Sequence, residues 1–127
     1  IGPVDLAFCH NDLLAGNLID DGDRLWLIDW DYAGFNSPLF DLANLASNNG
    51  FDEEEERRLL FLYFGSEADA PQWQRFQAMR AVSLLREAMW GMVSELHSKL
   101  DIDYVAYAAE HLGKLETALE RLDLAKG

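Results

Sequence analysis

Apolar positions along the chain change their period near Ser37. Before it they come in short runs. Residues 4–8 are mostly apolar, and the segments 17–19 and 24–29 ("RLWLID") flank an acidic "DDGD". Two apolar runs around Asp-Gly specify a β-hairpin with a tight turn. "RLWLID" is too continuously apolar for clean alternation, which predicts a strand covered on both faces by helices. After Ser37 the spacing becomes helical. Ser37 suits an N-cap with Pro38 at the first helical position, and "LFDLANLA" follows. "DEEEERRLLFLYFG" opens with acids that favour a helix N-terminus and ends on Gly65 as a stop; the acids at 52–56 read as a solvated helix start. Trp73, Phe76, Met79, Val82, Leu85, Met89, Met92 and Leu96 recur at helical spacing through one long segment from Pro71 to about Lys99. A last helix, 102–124, carries Val105, Leu112, Leu115, Leu119 and Leu122. The predicted layout is α+β: a small β-hairpin platform packed on four or so helices.

Composition narrows the possibilities. The 127 residues are 50% hydrophobic, enough for one real core. No apolar run of about 18 residues offers a membrane span, and no charged-then-apolar leader is present, so the expectation is a soluble, cytoplasmic protein. The single cysteine, Cys9, lies in "LAFCH" and reads as a buried, inert thiol suited to a reducing compartment. A net charge of −13 argues against nonspecific binding to nucleic acid or to an anionic membrane. If the chain handles phosphates, metal cations or a basic segment elsewhere must supply the positive charge. The chain opens on Ile and enters a motif within ten residues, which predicts a fragment of a longer protein. His97 and His111 have no partner at metal-ligand spacing and read as surface or core-edge residues.

The candidate chemistry sits in "HNDLLAGN" at residues 10–17 and "LIDWD" at 27–31. Phosphoryl transfer to an alcohol needs a carboxylate near the attacking hydroxyl and oxygen ligands for the magnesium that bridges nucleotide phosphates. The spacing His-x-Asp-x-x-x-x-Asn is one way to deliver both. Asp12 would face the acceptor, Asn17 would reach a metal where the next strand begins, and the hairpin would return Asp29 to the same place as a charged metal ligand. Asp and Asn are also common turn formers. The loop, hairpin and later Asp nevertheless follow the order of the kinase signature.

The segment "IDWDYAGFNSPLFDLAN" resembles the aminoglycoside phosphotransferase and choline kinase superfamily through Ile28, Asp29, Gly34, Asp41 and Ala43. "HND" in place of His-Arg-Asp and "IDWDY" in place of Asp-Phe-Gly look most like its choline/ethanolamine kinase branch. The resemblance is tight from His10 to Asn44 and looser downstream, where "MWGM" and "DIDYVAYA" are similar to that family's Trp-Gly-x-Trp and Tyr-x-x-Tyr helices.

This resemblance implies the C-terminal lobe of a protein-kinase-like fold. Residues 1–127 would form a single lobe carrying the catalytic loop and the acceptor site. An N-terminal nucleotide-binding lobe, with its Gly-rich loop and Lys–Glu pair, would lie outside this chain, so the chain alone should not catalyse efficiently. The implied activity moves the γ-phosphoryl group of ATP, with Mg2+, to a small cationic alcohol. Asp12 would be the base or orienting carboxylate, and Asn17 and Asp29 the metal ligands. His10 and Asp41 would brace the loop. Asp31, Tyr32, Trp90, Tyr104 and Tyr107 would bind the substrate cation, which π-faces and negative charge hold well. Val93 departs from the family pattern where a second Trp is expected. Alternatives are a thiamine kinase, an aminoglycoside phosphotransferase, or an inactive relative that only binds nucleotide or a partner.

Overall fold

A computed structural model describes residues 2–126, with side chains through Leu124. The short strands precede all the helices. Strand β1 (Ala7–Cys9) leads through the loop to a 3-10 turn at Ala15–Asn17, and β2 (Leu18–Asp20) and β3 (Leu25–Leu27) follow. Strand β4 (Gly34–Asn36) precedes α1 (Pro38–Asn48), α2 (Glu53–Phe64), α3 (Ala70–His97) and α4 (Tyr104–Lys126).

The Asp-Gly hairpin forms, with Ile19 opposite Trp26 in an antiparallel β2–β3 pair. Asp21 fastens its turn by accepting from the backbone N–H groups of Asp23 and Arg24 (both 2.9 Å) and from the Trp26 indole N–H (2.7 Å). The expected burial of β3 on both faces is not found. Leu25 is 64% and Trp26 48% exposed, because the hairpin projects from the helical body instead of lying inside a sheet. A second pair, β1 with β4, places Phe8 opposite Phe35. It closes the loop between them and fixes both ends of the segment that carries the candidate residues.

The helix ends follow their capping chemistry. Asp52 and Glu55 form a reciprocal capping box at the start of α2, and Gly65 ends that helix in the left-handed conformation (φ 77°). Asp69 caps α3 through Gln72 N–H (2.8 Å). Ser37 takes the N-cap position of α1, but its side chain makes no capping bond.

The core joins Phe40, Leu42, Ala43 and Ala46 of α1 to Leu60 of α2 and to Phe76 and Met79 of α3; a smaller cluster joins Ala81 and Leu84 to Ala118 of α4. The apolar stripe of α3 does not behave as amphipathic patterning ordinarily dictates. Phe76 and Met79 are buried, yet Val82, Leu85, Met89, Met92 and Leu96 are exposed. The buried side continues instead through Ser83, bonded to Asn44 and Ser47 of α1, and through Glu87, Ala88 and Gly91 towards α4. Gly91 permits that close approach, since a Cβ there would stand 2.9 Å from Tyr107 Cδ1 and 3.2 Å from Ala108 N.

The acidic run also differs from its expected solvated role at one position. Glu56 is fully buried, 2.7 Å from Arg80 Nε and accepting from Gln77 Nε2 at 2.9 Å. Burial, the largest influence, raises its pKa, while Gln77 and Arg80 act in the opposite direction. A carboxyl that holds its proton more tightly when folded contributes stability below the ordinary Glu range and loses it as pH rises through the folded pKa. Glu56→Ala leaves both partners unmatched and should cost about 3 kcal/mol. Glu56→Gln keeps the shape, so wild type should lose stability relative to it as pH rises above the ordinary Glu range. Urea unfolding across that rise in pH checks both variants. The opposite slope would mean that the Arg80 pair outweighs burial.

Candidate active site

The segment 10–17 is held by backbone and side-chain anchors from three directions. Asp41, in the first turn of α1, accepts from His10 N–H (2.8 Å) and Asn11 N–H (2.7 Å) with its two carboxylate oxygens. Asn44, one turn on, accepts from Leu13 N–H (2.6 Å) and donates to Ser83 Oγ (3.0 Å). Asn49 accepts from Ala15 N–H at 2.9 Å. Anchors three and eight residues apart therefore meet successive loop amides, satisfying donors that a loop would otherwise leave unpaired.

His10 is buried at 2% exposure and links the loop to the hairpin exit. Its Nδ1 accepts from Asp12 N–H (3.2 Å), which places the ring proton on Nε2, donated to the Ile28 carbonyl (2.8 Å). Ile28 N–H in turn donates to the Asn17 carbonyl (2.9 Å). Asp29 is the next residue, so the bracing His10, the hairpin and Asn17 all converge on it.

Asn11 and Asp29 both adopt left-handed backbone conformations, with φ of 67° and 58°. Non-glycine residues rarely do so, Asn and Asp most readily. Asn11 is held by its side chain, which donates to the Tyr32 carbonyl (3.0 Å) and accepts from Asn36 Nδ2 (3.0 Å). Asp29 is exposed, and its carboxylate takes no hydrogen bond among the described residues.

Asp12 stands half-buried, and burial is the main cause that raises its pKa. Arg86 and His10 oppose the shift, and the carboxylates of Glu87 and Asp29 add to it, which places Asp29 within electrostatic reach of Asp12. Asn17 Nδ2 donates to the Asp12 carbonyl (2.9 Å) and is thereby fixed. The remaining Asn17 oxygen and the Asp29 carboxylate are hard oxygen donors of the kind magnesium takes. Among the described residues no three His, Cys, Asp or Glu side chains form a metal cage. A two-residue donor set suits magnesium that shares its ligands with phosphate oxygens.

A cavity of about 130 Å³ opens beside Asp12, lined by Leu14, Tyr32, Arg86, Glu87, Trp90 and Tyr107. The Trp90 ring meets Tyr107 edge-on at 5.4 Å, and the Tyr107 hydroxyl donates to Glu87 Oε2 at 2.6 Å. Burial, then the Glu87 bond, pushes the Tyr107 pKa above the usual tyrosine range. A wider open depression of about 650 Å³ lies along α2, but its lining of Glu53, Glu54, Arg57, Arg58, Phe61 and Glu67 includes none of the candidate site.

Of the five residues expected to bind a cation, Tyr32, Trp90 and Tyr107 line this cavity. Two do not. Asp31 is exposed in the turn after Asp29, away from the cavity lining. Tyr104 is buried behind Trp90 (5.7 Å between rings), and its hydroxyl donates to Ser98 Oγ (2.8 Å). The acidic side chain that lines the cavity beside Asp12 is Glu87, which the sequence reading missed together with Arg86 and Asn44. The available signal was the "RE" pair one turn before Trp90, a charged step in the mostly apolar stretch 81–93. His111 is buried at the α4 edge with Nδ1 2.8 Å from the Tyr107 carbonyl, and His97 is exposed at the end of α3.

Comparison with known proteins follows the same residues. The sequence pattern of the choline/ethanolamine kinase family matches residues 3–62. A solved choline/ethanolamine kinase family protein from Mesorhizobium loti superposes with a TM-score of 0.85 at 33% identity, covering 93% of this chain and 40% of that one. Over these residues the chain carries the sequence pattern of the choline/ethanolamine kinase family and shares the fold of its solved structures. Ethanolamine kinase 2 of Mus musculus is 31% identical over 123 residues, covering 81% of this chain and 32% of its own length. The structure of LicA in complex with AMP superposes at a TM-score of 0.70 and 28% identity, covering 91% of this chain and 41% of LicA. The chain spans 18 to 38% of the length of the curated relatives it matches. Its mostly helical α+β architecture with a small hairpin is that of the kinase-like fold found in these family structures. No described helix is long and apolar enough to cross a membrane.

Proposed function

We propose that this chain is the C-terminal, acceptor-binding lobe of a cytoplasmic phosphotransferase that moves the γ-phosphoryl group of ATP to the hydroxyl of a small cationic amino alcohol. The observation that carries the reading is the position of Asp12 on the wall of a cavity that three aromatic rings and the Glu87 carboxylate also line, beside Leu14 and Arg86. An ammonium group is attracted to the faces of Tyr32, Trp90 and Tyr107 and to the Glu87 carboxylate, each aromatic contact contributing about 0.5–2 kcal/mol. A substrate held there by its cation presents its hydroxyl towards Asp12. Asp12 accepts or orients that proton, while Asp41 and His10 keep the loop in place.

Asn17 and Asp29 are the residues that would hold Mg2+. The bound ion supplies the positive charge that a chain of net charge −13 lacks for phosphate oxygens. The nucleotide-binding lobe lies outside this chain in this reading. Support comes from similarity to relatives named as choline and ethanolamine kinases, and from LicA having been seen with AMP.

The test is an acceptor panel with the full-length gene product, reading ADP release at fixed ATP and magnesium. Choline or ethanolamine should turn over well above thiamine and an aminoglycoside. Turnover of thiamine or the aminoglycoside alone would move the substrate claim and leave phosphotransfer standing. No turnover of any acceptor, with magnesium-independent nucleotide binding, would favour a binding-only protein.

A further inference from the structure

Arg86 departs from the ordinary behaviour of a half-buried arginine. It makes no ion pair within 4.0 Å among the described residues. Its guanidinium instead donates through Nη1 to the Asn11 carbonyl, 75 positions away in sequence, and lies over the rings of Tyr32 (5.2 Å) and Phe40 (5.8 Å). The carbonyl it grips belongs to the peptide unit that joins left-handed Asn11 to Asp12. Asp41 and Asn36 hold the N–H and side chain of Asn11, and His10 Nδ1 accepts from the N–H of the following peptide (3.2 Å), so Arg86 supplies the hold on its carbonyl end and the tie to α3.

We propose that Arg86 is a positioning residue: it locks the Asn11–Asp12 peptide plane, and so the direction of the Asp12 carboxylate, onto the helix that also carries Glu87 and Trp90. The inference rests on the phosphotransferase reading for its kinetic consequences, but its geometric content stands apart from it. A rotating peptide plane would swing Asp12 relative to an acceptor seated against α3, and a misplacement of about 1 Å is enough to cost about 100-fold in rate. The guanidinium also occupies one face of Tyr32. An internal cation therefore competes with the substrate cation for that ring.

Removing Arg86 should therefore lower kcat while leaving acceptor binding intact or improved, a split that general loosening of the fold would not produce. In the full-length protein, Arg86→Ala should reduce kcat by about 30- to 100-fold, with KM for ATP changed less than about twofold and KM for the cationic acceptor unchanged or lower. Free guanidinium ion should restore part of the lost kcat to Arg86→Ala and none to wild type. Arg86→Lys keeps the charge without the planar fork and should fall between the two. If Arg86→Ala does not fold by circular dichroism, Arg86→Lys carries the comparison.

A kcat within about threefold of wild type, or a parallel rise of both KM values at constant kcat, would overturn the proposal. If wild type turns over no acceptor, the phosphotransferase reading fails on its own, and hydrogen exchange decides the geometry. The amides of residues 12–15 should then exchange at least about tenfold faster in Arg86→Lys than in wild type. Equal exchange would show that Arg86 does not hold the loop.

Discussion

Asp12→Asn should lower kcat by about three orders of magnitude while leaving ATP affinity within about threefold of wild type, because general-base contributions fall in the range of 10²–10⁴. The substitution is isosteric, and the bonds that hold the loop use the backbone of Asp12, its N–H to His10 and its carbonyl from Asn17. The loop therefore keeps its anchors. What disappears is the negative charge on the cavity wall, which the proposed reaction assigns to the acceptor proton and not to the nucleotide. Steady-state kinetics and calorimetric titration with ATP together separate the two effects. A kcat within tenfold of wild type would remove Asp12 from the chemistry.

Asp29→Asn should produce the converse pattern, weakening magnesium-dependent nucleotide binding by about 100-fold, at least the effect seen when residues supporting a metal ligand are lost. Asn is the informative replacement because it tolerates the left-handed φ of 58° at this position, which Ala would resist. Asp29→Asn also removes a repulsion that raises the Asp12 pKa, so Asp12 should ionise more readily in this variant, not less. Titration of ATP with and without magnesium is the decisive measurement. If the difference between the two conditions survives in Asp29→Asn, Asp29 is not a metal ligand. If Asp12→Asn and Asp29→Asn lose kcat and nucleotide affinity alike, the division of roles fails.

Short-range chemistry made much of this protein legible from sequence. The Asp-Gly hairpin, the acids that open α2 and the stop at Gly65 are local signals, and the structure places an element boundary at each. The order of His10, Asp12, Asn17, Asp29 and Asp41 was equally visible, since a loop, a hairpin and a helix start lie consecutively in the chain.

Contacts between distant segments were not legible, and they decide the acceptor cavity. The spacing of apolar residues on α3 establishes which side chains share a face but not which face meets another helix. The apolar positions Val82, Leu85 and Met89 are exposed, while Ser83 is buried against α1 and Glu87 and Gly91 against α4, since a glycine lets the second helix approach where a larger side chain would hold it away. That choice turns Glu87 towards Tyr107 and brings Arg86 against Asn11, pairings 20 and 75 residues apart. It leaves Asp31 outside the cavity and Tyr104 behind Trp90. By itself the sequence determined the helices, the hairpin and the loop motif, because caps, turns and periodicity act over a few residues. Only the tertiary structure decided which charged groups join Asp12, because that depends on how closely α3 and α4 pack.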